Sequence, residues 1–212
     1  MKKIIYVFAA LFFTTQFSAA QSNAQAEKIL TDILNTAKVN AVKTNFKLSL
    51  TDKNDPQPQS VSGTFTLKGS KFVLEMENIK SWYDGKTQWS YVSQNNEVSV
   101  SEPTEKELAE TNPMAILSEF KAKCSIRFSA KNKSDKDYCI EMIPKVSHKD
   151  ISKIEVEVNK SNGNLVSIKL INKNGSTSLL TLTNFQKGVN VSDAIFVFNA
   201  SKYKGVTVND LR

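Results

Sequence analysis

The chain has 212 residues, a formal charge of +7 and a hydrophobic content of 40%. That length suits one domain with a real core, and its scattered lysines carry no nucleic-acid motif. One histidine and two cysteines leave little material for a catalytic or metal-binding constellation.

The first twenty residues read as an export signal. Lys2 and Lys3 precede an apolar run from Ile4 to Phe13, and Ser18-Ala19-Ala20 supplies small residues before an expected cleavage site. The run is shorter than the roughly 18 residues a spanning helix needs, so an uncleaved anchor is the weaker reading. Neither cysteine lies near that site, so no lipid is expected on the mature terminus. The mature chain, residues 21–212, is expected to be one exported domain of charge +5 once Lys2 and Lys3 are removed from the +7.

Asn23 to Ala41 is predicted as a helix, with Ala26, Ile29, Ile33, Leu34 and Ala37 on one apolar face. From Phe46 the period changes to two. Phe46, Leu48 and Leu50 form a first strand, followed by the proline-bearing loop TDKNDPQPQ. Val61, Gly63, Phe65 and Leu67 alternate next. Phe72, Leu74 and Met76 alternate after the turn at Lys68 to Ser70. In SWYDGKTQWSYV, Asp84-Gly85 marks a hairpin, because both residues tolerate positive φ. Trp89 and Tyr91 share one face of the strand that follows, and Glu97 to Ser101 continues the series.

The alternation stops between Glu102 and Phe120. Thr104 precedes a short helix from Glu105 to Glu110, and Asn112 caps a second with Pro113 at its first position. Met114, Ile116 and Leu117 give that helix an apolar side. Strands resume at Cys124 to Lys131, Tyr138 to Ile143, Ile151 to Asn159, Leu165 to Asn172 and Thr177 to Asn184. Phe196, Phe198 and the final GVTV close the series. The reading is a mainly β (α+β) chain of ten or eleven antiparallel strands, forming a curved sheet or open barrel covered by helices.

The residue inventory argues against an enzyme. His148 lies in a polar loop and reads as solvated, Asp84 is explained by its turn, and the glycines form no phosphate-cradling cluster. No metal and no cofactor are expected. An oxidising compartment permits a Cys124–Cys139 disulfide, but a turn near Lys133 to Lys136 sets Cys139 opposite a residue near 130. Binding of an apolar ligand is better supported. Phe65, Leu67, Phe72, Leu74, Met76, Trp89 and Tyr91 fall on the expected inward faces, with Met114 and Leu117 above them. Alternation alone does not separate a cavity wall from a packed core.

Three segments carry a likeness. DGKTQW at 84–89, TNPMAIL at 111–117 and the closing FVFNASKYKGVTVNDLR resemble, in order and spacing, the periplasmic outer-membrane lipoprotein carrier family, LolA. The resemblance implies an incomplete barrel of eleven antiparallel strands under a lid of three helices. It also implies a monomeric periplasmic carrier that binds lipoprotein acyl chains in an apolar cavity. The implied partners are acylated outer-membrane lipoproteins, an inner-membrane releasing complex and an outer-membrane acceptor, with transient contact to membrane surfaces. A lipid- or isoprenoid-binding protein of the same shape is the alternative, and a solid-core adaptor a third. In the family an arginine that helps hold the lid follows the turn where this chain has Gly69. Lys68 or Lys71 would have to supply that donor, without the arginine fork.

Overall fold

The computed structural model describes residues 5–55, 57–130 and 134–212. Among the described residues twelve strands form one sheet. In chain order they are β1 (Val42–Thr51), β2 (Gln59–Lys68), β3 (Lys71–Met76), β4 (Ile79–Tyr83), β5 (Gln88–Val92), β6 (Glu97–Ser101), β7 (Cys124–Phe128), β8 (Asp137–Pro144), β9 (Ile151–Asn159), β10 (Leu165–Asn172), β11 (Thr177–Lys187) and β12 (Thr207–Asp210). Their spatial order is β12-β6-β5-β4-β3-β2-β1-β11-β10-β9-β8-β7, with β12 and β7 as free ends. Neighbours are antiparallel except β12, which runs parallel to β6. The expected count of eleven, all antiparallel, is thus corrected to twelve with one parallel pair.

The parallel pair follows from the route of the chain. After β11 it crosses the back of the sheet through two 3-10 turns, Asp193–Phe196 and Ala200–Lys202. It then meets the β6 edge already pointing the same way. Phe196 therefore sits in a 3-10 turn and not in a strand.

On the other face, among the described residues, lie three helices: α1 (Ile5–Val39), α2 (Glu105–Thr111) and α3 (Pro113–Lys123). The helix expected from Asn23 ends at Val39 and continues back to Ile5. Thr104 and Glu107 form a reciprocal capping box at α2. Asn112 caps α3, its side chain accepting from the Met114 N–H at 2.9 Å, with Pro113 at the first turn. The buried positions of α1 run from Ala26 to Ala37, about 16 Å of helix. Yet α1 packs on both β7 and β2, six strand spacings apart, or about 29 Å in a flat sheet. The sheet is therefore curled around the helices but not closed.

Two apolar clusters fill the inner face. One joins Leu30 and Ile33 of α1 and Leu117 and Phe120 of α3 to β7–β11; the other joins Ala37 to Phe65, Leu67, Phe72 and Tyr83. A third lies on the outer face, where Val73, Trp82, Trp89 and Tyr91 meet Phe196, Phe198 and Tyr203 of the C-terminal segment. Cys124 and Cys139 are both buried and both free. Their register explains it: Cys124 faces Pro144, while the Cys139 carbonyl accepts from the Ser129 N–H.

Candidate functional site: an apolar cavity under the third helix

Inward-facing residues stack in layers across the curled sheet. In the innermost layer Val42, Leu67, Phe72 and Tyr83 are paired by register and buried. Phe72 stacks on Phe65 at 5.6 Å and meets the tilted Tyr83 ring at 5.5 Å. The next layers are Phe65 with Leu74, then Leu182, Phe46, Gly63 and Met76, then Ile168, Leu180, Leu48 and Val61. Exposure climbs along this path, from 2% at Leu67 and 5% at Phe65 to 49% at Val61. The inner face is solid at one end and hollow at the other.

The hollow is a cavity of about 370 Å³. Its walls are Phe46, Leu48, Val61, Phe65, Leu74, Met76, Ile168, Leu170, Leu180 and Leu182, its roof is Pro113 and Ile116 of α3, and among the described residues Ser178 is the one polar side chain in the lining. A volume of that size lies near the lower end of the ~300–1,000 Å³ typical of ligand sites. Gly63 keeps the floor clear. A Cβ there would stand 2.0 Å from the Glu75 carbonyl oxygen and 2.9 Å from the Phe46 ring, so only glycine lets β2 and β3 pair under that ring. A far smaller void of about 20 Å³ continues under α1 and α3, bounded by Phe65, Leu182 and Pro113, which it shares with the cavity. A cleft of about 540 Å³ between α2, α3 and Tyr83 is larger, but Glu105, Lys106, Glu119 and Lys123 line it. It offers no apolar enclosure.

The residues singled out by sequence divide into groups. Phe65, Leu74 and Met76 line the cavity. Leu67 and Met114 border only the small void. Phe72 and Leu117 are fully buried in the core clusters. Trp89 and Tyr91 are not on the inner wall. Trp89 pairs with Trp82 and lies opposite the Ser81 and Tyr83 face, where both aromatics join the outer cluster. Tyr91 meets the Tyr203 ring at a tilt, with centroids 4.6 Å apart, and donates to the Asn96 side chain. The sequence reading missed Ile168, Leu170, Leu180 and Leu182, although each lies on an alternating strand. It missed Pro113 and Ile116 as roof residues too.

Lys68 and Lys71 do not reach the helices. Both lie on the outer face and both donate to Asp193 at 2.7 Å, one to each carboxylate oxygen. Hydrogen bonds from Lys68 and then Lys71 pull the Asp193 carboxyl from 3.8 down to about 2. The lysines thus pin the C-terminal segment to the β2–β3 turn. Gly69, at φ +63°, donates its N–H to the Ala37 carbonyl at 3.2 Å. The turn touches the end of α1 through backbone. His148 is not simply solvated: its Nδ1 accepts from the N–H groups of Asp150 and Ile151, and its ring meets Phe120 at 5.6 Å.

An open, curled sheet with helices roofing an apolar cavity defines a class of proteins able to enclose apolar ligands. The family model for outer membrane lipoprotein carrier protein LolA matches residues 16–175, and the chain belongs to that family. Among solved structures it is similar to an uncharacterized conserved protein from Thermus thermophilus, at a TM-score of 0.59 and 10% identity over 88% of this chain and 99% of that one. That likeness concerns the fold. A LolA superfamily protein from Nitrosomonas europaea gives a TM-score of 0.41 at 12% identity, covering 82% and 97%. A putative outer membrane lipoprotein-sorting protein domain from Vibrio parahaemolyticus gives 0.41 at 11%, with the same coverage. No curated protein sequence matches the chain. Among the described residues no helix is long and apolar enough to cross a membrane.

Proposed function

We propose that this protein is a periplasmic carrier that holds the acyl chains of lipoproteins in the cavity beneath α3 and moves them from the inner to the outer membrane. The observation that carries the reading is the cavity itself: about 370 Å³, apolar but for Ser178, and roofed by a separate helix. Family membership supports it. Residues 1–20 serve as the export signal and residues 21–212 as the working domain, acting as a monomer. The donor is an inner-membrane releasing complex, the recipient an outer-membrane acceptor, and each hand-over brings transient contact with a membrane surface.

Each methylene buried in such a wall contributes about 0.8 kcal/mol. Displacement of α3 from the sheet offsets part of that gain, which keeps binding reversible without a nucleotide. Phe65, Leu74, Met76, Leu180 and Ile116 are the contact residues in this reading. Lys68 and Lys71, engaged by Asp193, anchor the outer segment rather than the lid. A second reading, a carrier of a lipid or isoprenoid without attached protein, is favoured by the modest cavity volume.

Native mass spectrometry of the protein purified from its own host, without delipidation, separates the two. An adduct with the mass of an acylated protein supports lipoprotein transport, and a small-lipid adduct supports the second reading. A clean mass, followed by failure to extract acylated protein from spheroplasts, would remove both.

A further inference from the structure

Strand register shows which loops rim the hollow end of the sheet. Leu50, past the outermost apolar layer, pairs with Gln59 and Ser178, so the β1–β2 loop and the β10–β11 turn lie there. The β3–β4 turn and the β8–β9 loop lie at the same end, because Gly63 pairs with Met76 and Ile151 with Asn172. Leu50, Val61 and Ile79 are exposed on this rim, and Val146, in the β8–β9 loop, is 82% exposed. Hydrogen bonds on both sides hold Val146 out. Before it, the Lys145 N–H donates to the Lys123 carbonyl at 2.9 Å. After it, His148 Nδ1 accepts from the N–H groups of Asp150 and Ile151. Lys173 donates its N–H to the Asp150 carbonyl and its Nζ to the Ser147 hydroxyl, both at 2.8 Å. This arc of the rim is basic: α3, the β8–β9 loop and the β10–β11 turn together carry five lysines and two carboxylates, Glu119 and Asp150. Lys123, Lys145, Lys149 and Lys173 are all exposed. The opposite arc is acidic, with Asp52, Asp55 and Glu77 exposed beside Lys53.

We infer that this basic arc is the face with which the protein meets an anionic membrane, Val146 entering among the head groups while the lysines beside it engage lipid phosphates. This rests on the carrier reading and names the surface that makes its membrane contact. An apolar side chain between lysines suits an interface where hydrocarbon lies behind a layer of phosphates, since lysine stems lie along the apolar zone while their ammonium groups stay at the phosphates. One valine and a few lysines give a weak, salt-sensitive contact, as a protein that must leave again requires. The charge asymmetry tilts the molecule, because the acidic arc with Asp52, Asp55 and Glu77 turns away from an anionic surface. The loop is also joined to the roof of the cavity, through the Lys123 carbonyl and the contact of His148 with Phe120 at 5.6 Å. Docking there therefore bears on α3, the helix that must move for cargo to pass.

The test is flotation of the purified protein with vesicles of phosphatidylcholine, with or without about 30% phosphatidylglycerol. Binding to the anionic vesicles should be at least tenfold tighter and should fade as salt shortens the Debye length from about 10 Å toward 3 Å. The double variant K145E/K149E and the single variant Val146→Asp should each lose tenfold or more. The control K43E/K47E makes the same charge change at exposed positions of β1 and should lose less than threefold. All the altered side chains are exposed, so melting curves should match the wild type. An environment-sensitive dye on Val146→Cys should shift to the blue on anionic vesicles, and one on Lys47→Cys should not. Equal binding to both kinds of vesicle, no binding to either, or an equal loss in K43E/K47E would overturn the docking face. The carrier reading is scored separately, by binding of a fluorescent fatty acid, which K145E/K149E should retain; absence of that binding in the wild type would remove the carrier reading instead.

Discussion

Asp193 shows how much one side chain can organise. It answers two lysines that the chain places side by side across the β2–β3 turn. Its carboxyl is held near 2 against an ordinary 3.8, so the folded form favours the charged state. The tether is therefore at full strength above pH 3.8 and is lost as the pH falls through 2. Tryptophan emission reports it, because Trp82 packs on Phe198 and Tyr203 at 5.3 and 5.9 Å. Wild-type emission should hold down to about pH 4 and shift to the red toward pH 2. Asp193→Asn should show the shifted emission already at pH 7, and identical spectra would mean that aromatic packing alone holds the segment. Trp82→Ala should destabilise the protein by about 3–5 kcal/mol in denaturant titrations and leave acyl-chain affinity unchanged, since Trp82 and the cavity lie on opposite faces.

Among the elements, the helical insertion was the most legible part of the sequence. Asn112 sits between the two short helices, donating its N–H to the Leu108 carbonyl and capping Met114 with its side chain. Its signature, Asn before Pro, is local and needs no tertiary context. Asn112→Ala should lower stability by only about 0.5–2 kcal/mol but speed the release of a bound fluorescent fatty acid in stopped-flow, because α3 roofs the cavity. Unaltered release would separate α3 from gating. Strand positions were legible for the same reason: β6, β9 and β10 begin and end where alternation places them. Alternation gives a period, however, and not a face. Trp89 and Tyr91 look like an inner wall because nothing in their own strand announces that Phe198 and Tyr203, more than a hundred residues later, come to cover them. The disulfide question was answerable from register alone, since the β7–β8 pairing fixes which residues meet; Lys131 and Lys133, named at the expected strand end and turn, lie outside the described residues. The DGKT loop shows a smaller departure. Of the Asp-Gly pair only Gly85 has positive φ, and Asp84 instead accepts from the N–H groups of Lys86 and Thr87.

For the molecule as a whole, the division between solid core and hollow depends on layers drawn from five strands and one helix, which no single segment reveals. Filling the hollow tests the division. Leu180→Trp adds bulk to a wall facing about 370 Å³ of free space, so it should reduce acyl-chain affinity tenfold or more while the melting temperature stays level or rises. A large drop in melting temperature instead would show that Leu180 belongs to packed core. A clear loss on the same scale is expected for inward substitutions at Ile116, and little for Trp89.

A closed barrel has its radius fixed by strand number and shear. Here β7 and β12 end the sheet without meeting, so its circumference is not locked. The two lips can part and the curl can relax while every ladder hydrogen bond survives. The girth of what the protein can hold is then set by how far α1 and α3 yield, and not by a count of strands. The structure has the mechanics of a cuff with an open seam, adjustable to contents of different thickness.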